Sequence, residues 1–292
     1  MLRITEKTLV LGVGGGYDIY TALPWFLSLS DQEQHQCLLA NYSFTDDLYK
    51  YASTEKQYII EVSPSTVRTE KNRNYFPEHH LATSLNRTIY AVRLVPCPLL
   101  TTVLQEFIEE HQIKRLLLFD GGTDSIIFGD EGQIYGSPLE DSQTILAAYH
   151  SGLPCILITS ALGIDDCNVD LYLKRAEEMT IHNFKVGPTL TGWEDYRRIV
   201  QSSVPPSIIQ ESILAAGDGH RGIYVNPRLF PERISKEEDL PKILEGTNRF
   251  SLWELDQLVE RSPFYQRLLG FDPTSKNDLI AIWIEWNRIL SG

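Results

Sequence analysis

A chain of 292 residues with 42% hydrophobic and 22% charged side chains can bury a substantial core, and its composition excludes the disordered and fibrous classes. Its net charge of −13 argues against sequence-independent binding to DNA, RNA or an anionic membrane, because each needs a cationic face. No run of eighteen apolar residues occurs, and MLRITEKTLVLGV lacks the long apolar run and cleavage site of a signal peptide, so a cytoplasmic protein is expected.

In chain order, residues 7–13 read as a first strand, 18–29 as a helix and 36–43 (QCLLANYS) as a second strand, a βαβ unit. After a polar segment, residues 57–63 and 88–95 are strand candidates, and 99–112 carries apolar residues at helical spacing. KRLLLFD at 114–120 is an unbroken apolar run that ends on an acid, as a buried parallel strand does when it delivers a residue to a sheet edge. Residues 137–152 predict a helix, with Ser137 as N-cap, Pro138 in the first position, Glu140 closing a capping box and Gly152 after the end. PCILITSALG at 154–163 is the next strand. Beyond about residue 165 the chain reads as mostly helical: 169–180, 193–202, 207–217, 251–261 and 276–290, with Ser251/Glu254 and Ser275/Asp278 as caps. Residues 220–250 read as a long ordered connection.

Alternating strands and helices predict an α/β fold with a Rossmann-like, doubly wound, mainly parallel sheet and a more helical C-terminal region. Residues 1–165 would form the ligand-binding core. Residues 166–292 would form the helical part, either separate or packed on the same sheet. Ligands in such sheets bind outside the carboxyl ends of the strands. The turn at 12–16 and the acidic segment after 120 both follow strands, so both belong on that edge.

The first turn holds Gly12, Gly14, Gly15 and Gly16, followed by Asp18. A tight strand-to-helix turn aims backbone N–H groups and a helix dipole at an anion such as a phosphate or carboxylate. The pattern is neither a dinucleotide fingerprint nor a P-loop. Tyr17 stands where a third glycine belongs, the second strand ends near Asn41 rather than on a ribose-binding acid, and no GK[ST] follows. A dehydrogenase is therefore disfavoured. Asp18 either caps the helix or accepts a hydroxyl or ammonium from the ligand.

Residues 119–141 interleave six acids (Asp120, Asp124, Asp130, Glu131, Glu140 and Asp141) with five glycines. Such loops suit a hard-metal site or a pair of carboxylates with different pKa values. Glu140 reads as a capping residue, Asp141 as a helix-dipole partner and Glu131 as a solvated turn residue. Asp120, at a strand end, and Asp124, after the GGT turn, are the stronger functional candidates. Asp130 joins them as a catalytic candidate, and Gly121, Gly122, Thr123 and Glu131 as ligand-binding ones. In GDGHRG at 217–222, His220 could shuttle a proton and Arg221 clamp an anion. His79 and His80 have no ligand spacing. Cys37, Cys97, Cys155 and Cys167 have no CxxC or CxxH spacing and are expected as reduced thiols. The only basic clusters, EKNRNYF and YLKRAEE, are diluted by acids.

The two segments GGGYDIYTALP and DGGTDSIIFGDEGQIYGSPLED together resemble the archaeal and bacterial family catalogued as domain of unknown function 1152. Its patterns are GGGGDxxxALP and DGGxDxxxxGDExxxGTPxED. The resemblance continues through SIIQESILAAGDGHRG, with Ser137 in place of the usual Thr and Tyr17 where glycine is frequent. It implies that Asp18, Asp120, Asp124, Asp130, Glu131, Glu140 and Asp141 serve one purpose rather than acting as separate caps.

The reading favoured is an enzyme of the transferase or hydrolase type, acting on a nucleotide or other small anionic metabolite, with Mg²⁺ or a nucleotide as the implied cofactor. The alternative is a non-catalytic metabolite-binding regulator whose apolar segment LIAIWIEWNRIL at 279–290 makes a homo-oligomer or partner contact.

Overall fold

TLVLG at Thr8–Gly12 (β1) buries all five residues, as a strand covered on both faces must. The same logic forms Cys37–Tyr42 (β2), Ile89–Val92 (β4), Arg115–Asp120 (β5) and Cys155–Thr159 (β6). Three further strands, Ile59–Val62 (β3), His182–Lys185 (β7) and Arg249–Glu254 (β8), complete one sheet in the order β3-β4-β2-β1-β5-β6-β8-β7. The computed structural model describes residues 2–95, 97–131, 138–162, 164, 169–219 and 246–270. The five strands from β4 to β6 run parallel, while β3 pairs antiparallel with β4, β8 with β6, and β7 with β8. The protein is thus an α/β fold with a mainly parallel sheet.

Alternate residues of each central strand feed two apolar layers. Val10, Leu39, Leu117 and Phe119 face one, and Leu9, Leu11, Leu116 and Leu118 the other. The first layer is covered by Asp18–Thr21 (α1), Leu23–Phe26 (α2), Pro77–Leu85 (α4), and Trp193–Gln201 (α8) with Ile208–Gly217 (α9), while the short Asp31–His35 (α3) leads into β2. The second is covered by Cys97–His111 (α5), Pro138–Tyr149 (α6), Val169–Met179 (α7), Leu255–Arg261 (α10) and Pro263–Gly270 (α11). On α5, Cys97, Leu100, Val103, Leu104, Phe107 and Ile108 form the buried stripe, each contributing about 2 kcal/mol of transfer free energy before entropy is charged against it. No described helix is long and apolar enough to cross a membrane.

Two predicted helices are corrected. The helix expected over 18–29 is broken into α1 and α2, because Pro24 has no N–H to donate to the carbonyl of Tyr20. The helix expected over 251–261 begins only at Leu255, and Ser251 lies inside β8, where its spacing to Glu254 imitates a capping box without making one. Beyond residue 165 the described chain is mostly helical, yet β7 and β8 join the sheet of the first half. The Ser137 cap, Cys167, the 276–290 segment with its Ser275/Asp278 cap, and most of the 220–250 connection lie outside the described residues. Cys37 and Cys97 are buried, Cys155 is half-buried, and none of the three forms a disulfide.

From β1 the chain moves outward through β2 towards β4, then crosses back to lay β5 on the other side of β1. The winding direction therefore reverses between β1 and β5. The turns that leave the carboxyl ends of these two strands border the crevice where doubly wound sheets hold ligands.

Candidate active site at the switch point

The turn after β1 is built by close approach. A side chain at Gly12 would collide with Asn41 Oδ1 and the Ile19 amide, so glycine lets α1 start directly against the ends of β1 and β2. A Cβ on Gly14 would stand 2.5 Å from Asp141 Oδ1, and Gly15 and Gly16 hold φ of +96° and +62°. Thr144 Oγ1 on α6 donates to the Val13 carbonyl at 2.8 Å, which fixes α6, and with it Asp141, over the turn.

Asp18 opens α1 and turns back. Its Oδ2 accepts the Gly14 N–H at 2.6 Å, and the backbone of Gly121 lies beside the same carboxylate, where it favours the ionised form. The two turns of the crevice are thereby tied through one side chain. The expectation that turn amides face a bare anion changes accordingly, since Gly14 and Gly121 already serve a carboxylate of the protein itself.

Asp120 ends β5, and its Oδ2 accepts a short hydrogen bond from the Ser125 hydroxyl. Its backbone carbonyl accepts the Ser160 N–H at 3.1 Å. Burial pushes the Asp120 carboxyl up to about 6, although the Ser125 hydrogen bonds favour the ionised form. Asp141, in the first turn of α6, is only 2% exposed, and its Oδ1 is buried without a hydrogen-bond partner. Burial first, then the charges of Asp124, Asp120, Asp18 and Glu140, hold its carboxyl well above the usual range. The Asp18 carboxyl is raised in the same way, by burial and then by Asp120 and Asp124, against the backbone of Gly14 and Gly121.

Carboxylate oxygens of Asp18, Asp120 and Asp141 all lie within 4.8 Å of one another. They line a cavity of about 260 Å³ together with Asp124, Glu140 and Phe44, over a floor of Gly14, Gly15 and Gly121. No Lys, Arg or His lines it among the described residues. Two oxygens on one ion stand at most about 4.2 Å apart around Mg²⁺ and about 5 Å apart around Ca²⁺, so a set within 4.8 Å matches the span of Ca²⁺ and reaches Mg²⁺ with a side-chain contraction of about half an ångström.

Of the predicted site residues, the structure brings together Asp18, Asp120, Asp124, Gly14, Gly15 and Gly121 on the cavity wall, with Gly12 and Gly16 shaping the turn. Gly122 and Thr123 are buried behind it, and the Thr123 carbonyl accepts the Ile126 N–H at 3.0 Å. Asp130 and Glu131 do not join it. Glu131 accepts from the Phe128 and Gly129 amides at 2.6 and 2.7 Å and from Arg175 at 2.5 Å, while Asp130 pairs closely with the same guanidinium. Arg175, on α7, is buried over the Phe128 ring, so this cluster fastens the loop after β5 to α7. His220 and Arg221 lie outside the described residues. Of the two histidines without ligand spacing, His80 bonds Tyr20 Oη at 2.8 Å and Ser202 Oγ at 3.1 Å, packing α4 against α1 and α8.

Read residue by residue, Asp141 and Glu140 took ordinary helix-start roles and only the family resemblance grouped them with the other acids, while Phe44 and the Asn41–Glu78 pair were missed. For Asp141 a signal existed: a first-turn acid on a helix that starts at the same sheet edge as the acid-rich loop. Comparison with protein-family models, curated proteins and solved structures finds no match for this chain.

Proposed function

We propose that the protein is a divalent-metal-dependent enzyme of the transferase or hydrolase type whose substrate is a small phosphate-bearing molecule. The observation that carries this reading is the buried, unpartnered Asp141 Oδ1 beside the carboxylates of Asp18 and Asp120. An orphaned carboxylate oxygen in a mutually repelling cluster is costly, and a cation offsets both terms at once. Asp18, Asp120 and Asp141 would hold the ion, and it would supply charge neutralisation for a phosphate that the acids would otherwise repel. Asp124, on the same wall, takes the proton of an attacking water or hydroxyl as its oxygen bonds to phosphorus. The electron pair of the broken P–O bond leaves with the departing oxygen. Membership in the domain of unknown function 1152 family, and a cytoplasmic setting in keeping with the free thiols of Cys37, Cys97 and Cys155, belong to the same proposal.

Thermal unfolding and calorimetric titration with MgCl₂ and MnCl₂ test it. The wild type should gain about 2.7 kcal/mol of stability at a hundred times the dissociation constant. Asp141→Asn, folded by circular dichroism, should show no metal-dependent shift. A wild type indifferent to both ions, or an Asp141→Asn variant that keeps the full shift, overturns the reading.

A further inference from the structure

We infer that the substrate is a nucleoside phosphate whose base stacks on Phe44. The inference rests on the metal reading of the acidic cluster and adds the part of the substrate that the cluster does not see. Phe44 follows β2 on the loop that borders the crevice, and it is the only aromatic side chain lining the acidic cavity among the described residues. It is 42% exposed. The loop is fixed on both sides of it. The Ser43 N–H donates to the Val92 carbonyl at 2.8 Å, the Thr45 N–H donates to Ser43 Oγ at 3.1 Å, and Thr45 Oγ1 donates to the buried Glu78 carboxyl at 2.9 Å. Ser43 and Thr45 are themselves buried, so the backbone holds the ring outward instead of letting it fold into the core. Its ring edge rests against Gly15, where a Cβ would come within 2.5 Å of Phe44 Cε2. The missing side chain at position 15 is what admits the ring to the cavity mouth.

Size and charge divide the site in two. About 260 Å³ lies below the roughly 300–1,000 Å³ of pockets that enclose whole small molecules. The acid-lined interior accommodates a cation and the phosphate groups it neutralises, and the rest of the substrate must lie at the mouth. The apolar side chain at that mouth is the Phe44 ring. A nucleobase matches it, because every base has a π face that stacks without needing hydrogen-bond partners.

The test is calorimetric titration in saturating Mg²⁺ with ATP, GTP, CTP and UTP, each against inorganic tripolyphosphate, on the wild type, Phe44→Ala and Phe44→Trp. At least one nucleotide should bind the wild type about 10-fold more tightly than tripolyphosphate. Phe44→Ala should remove that advantage and leave tripolyphosphate affinity unchanged. Phe44→Trp should restore it, with its indole fluorescence quenched on nucleotide addition. If Mg²⁺ binds but no nucleotide surpasses tripolyphosphate, or if Phe44→Ala weakens both equally, the base-stacking inference is overturned and the metal reading stands. If the wild type binds no Mg²⁺ at all, both are overturned.

Discussion

Asp120 is a buried carboxyl held near neutral pKa, and this has a thermodynamic signature in the metal-free protein. Because its folded value of about 6 exceeds the ordinary 3.8, the native state binds protons more tightly than the unfolded state between those limits, and stability falls as pH rises through them. His79 and His80, whose burial lowers their pKa, act in the opposite direction. The informative quantity is therefore the difference between Asp120→Asn and wild type, in which the histidines cancel. In EDTA at pH 7 the variant should be the more stable protein, by on the order of 3 kcal/mol, since it also relieves the repulsion that Asp120 exerts on Asp18 and Asp141, and the gap should narrow as pH approaches 4. Urea unfolding across that range checks both points. A variant less stable than wild type at pH 7, or a gap that does not narrow, would show that Asp120 carries no buried-charge penalty. At this scale the sequence made Asp18, Asp120 and Asp124 legible, since each stands on a turn that leaves an apolar strand. Taken by itself Asp141 read as a helix-dipole partner, and only its place in the family pattern grouped it with the other acids. The sequence overrated Asp130 and Glu131, because their partner Arg175 lies on a helix far along the chain, inside a segment that reads as a diluted surface cluster.

Between elements, the Gly-rich turn is held by a polar bridge rather than by a helix cap. Tyr17 makes no side-chain cap to α1. Asn41, at the end of β2, does that work: its Oδ1 accepts the Ile19 N–H at 3.4 Å, and its Nδ2 donates to the Gly16 carbonyl at 3.1 Å and to Glu78 Oε1 at 2.6 Å. Glu78 on α4 is fully buried, and burial raises its pKa. Removing the amide leaves a buried carboxyl and the amide of Ile19 each short of a partner. Asn41→Ala should therefore cost about 2–4 kcal/mol in urea unfolding, and Mg²⁺ affinity should drop with it because Asp18 directly precedes Ile19, whose amide Asn41 holds. A loss below about 0.5 kcal/mol, the range of an ordinary surface substitution, would mean the bridge is incidental. Strand existence was legible wherever burial on both faces produced an unbroken apolar run, as in TLVLG and RLLLFD. It was not legible in HNFK, a polar edge strand, or in RFSLWE, where a false capping pair outweighed the short apolar run. A break between α1 and α2 could have been read from Pro24, whose surroundings are otherwise helical and apolar.

Across the whole molecule, the sheet binds the two halves of the sequence into one stability unit. β8 returns from beyond residue 165 to pair with β6, from Ile156 opposite Glu254 to Thr159 opposite Ser251, and Trp253 Nε1 donates to Thr159 Oγ1 at 2.9 Å. Phe250 and Leu252 fill one apolar layer, while Trp253, Leu258 and Phe264 fill the other. Later residues also reach the candidate site: Gln210 Nε2 donates to Thr21 Oγ1 at 2.9 Å, and Ile209 packs where a Gly121 side chain would be. Each of these large apolar side chains contributes about 1.5–3 kcal/mol by burial. With Trp193 and Tyr196, also fully buried, they are a large share of the apolar surface that offsets chain entropy, in a fold whose net stability is typically only about 5–15 kcal/mol. A fragment of residues 1–165 would expose β6 as an open edge and uncover part of both layers. It should show no cooperative thermal transition by circular dichroism, with or without Mg²⁺, whereas the full chain should unfold with coincident near- and far-ultraviolet transitions. A fragment that melts cooperatively and still binds Mg²⁺ would place the stability and the cation site in the first half alone, and would make β7 and β8 an addition to the sheet rather than a condition for it.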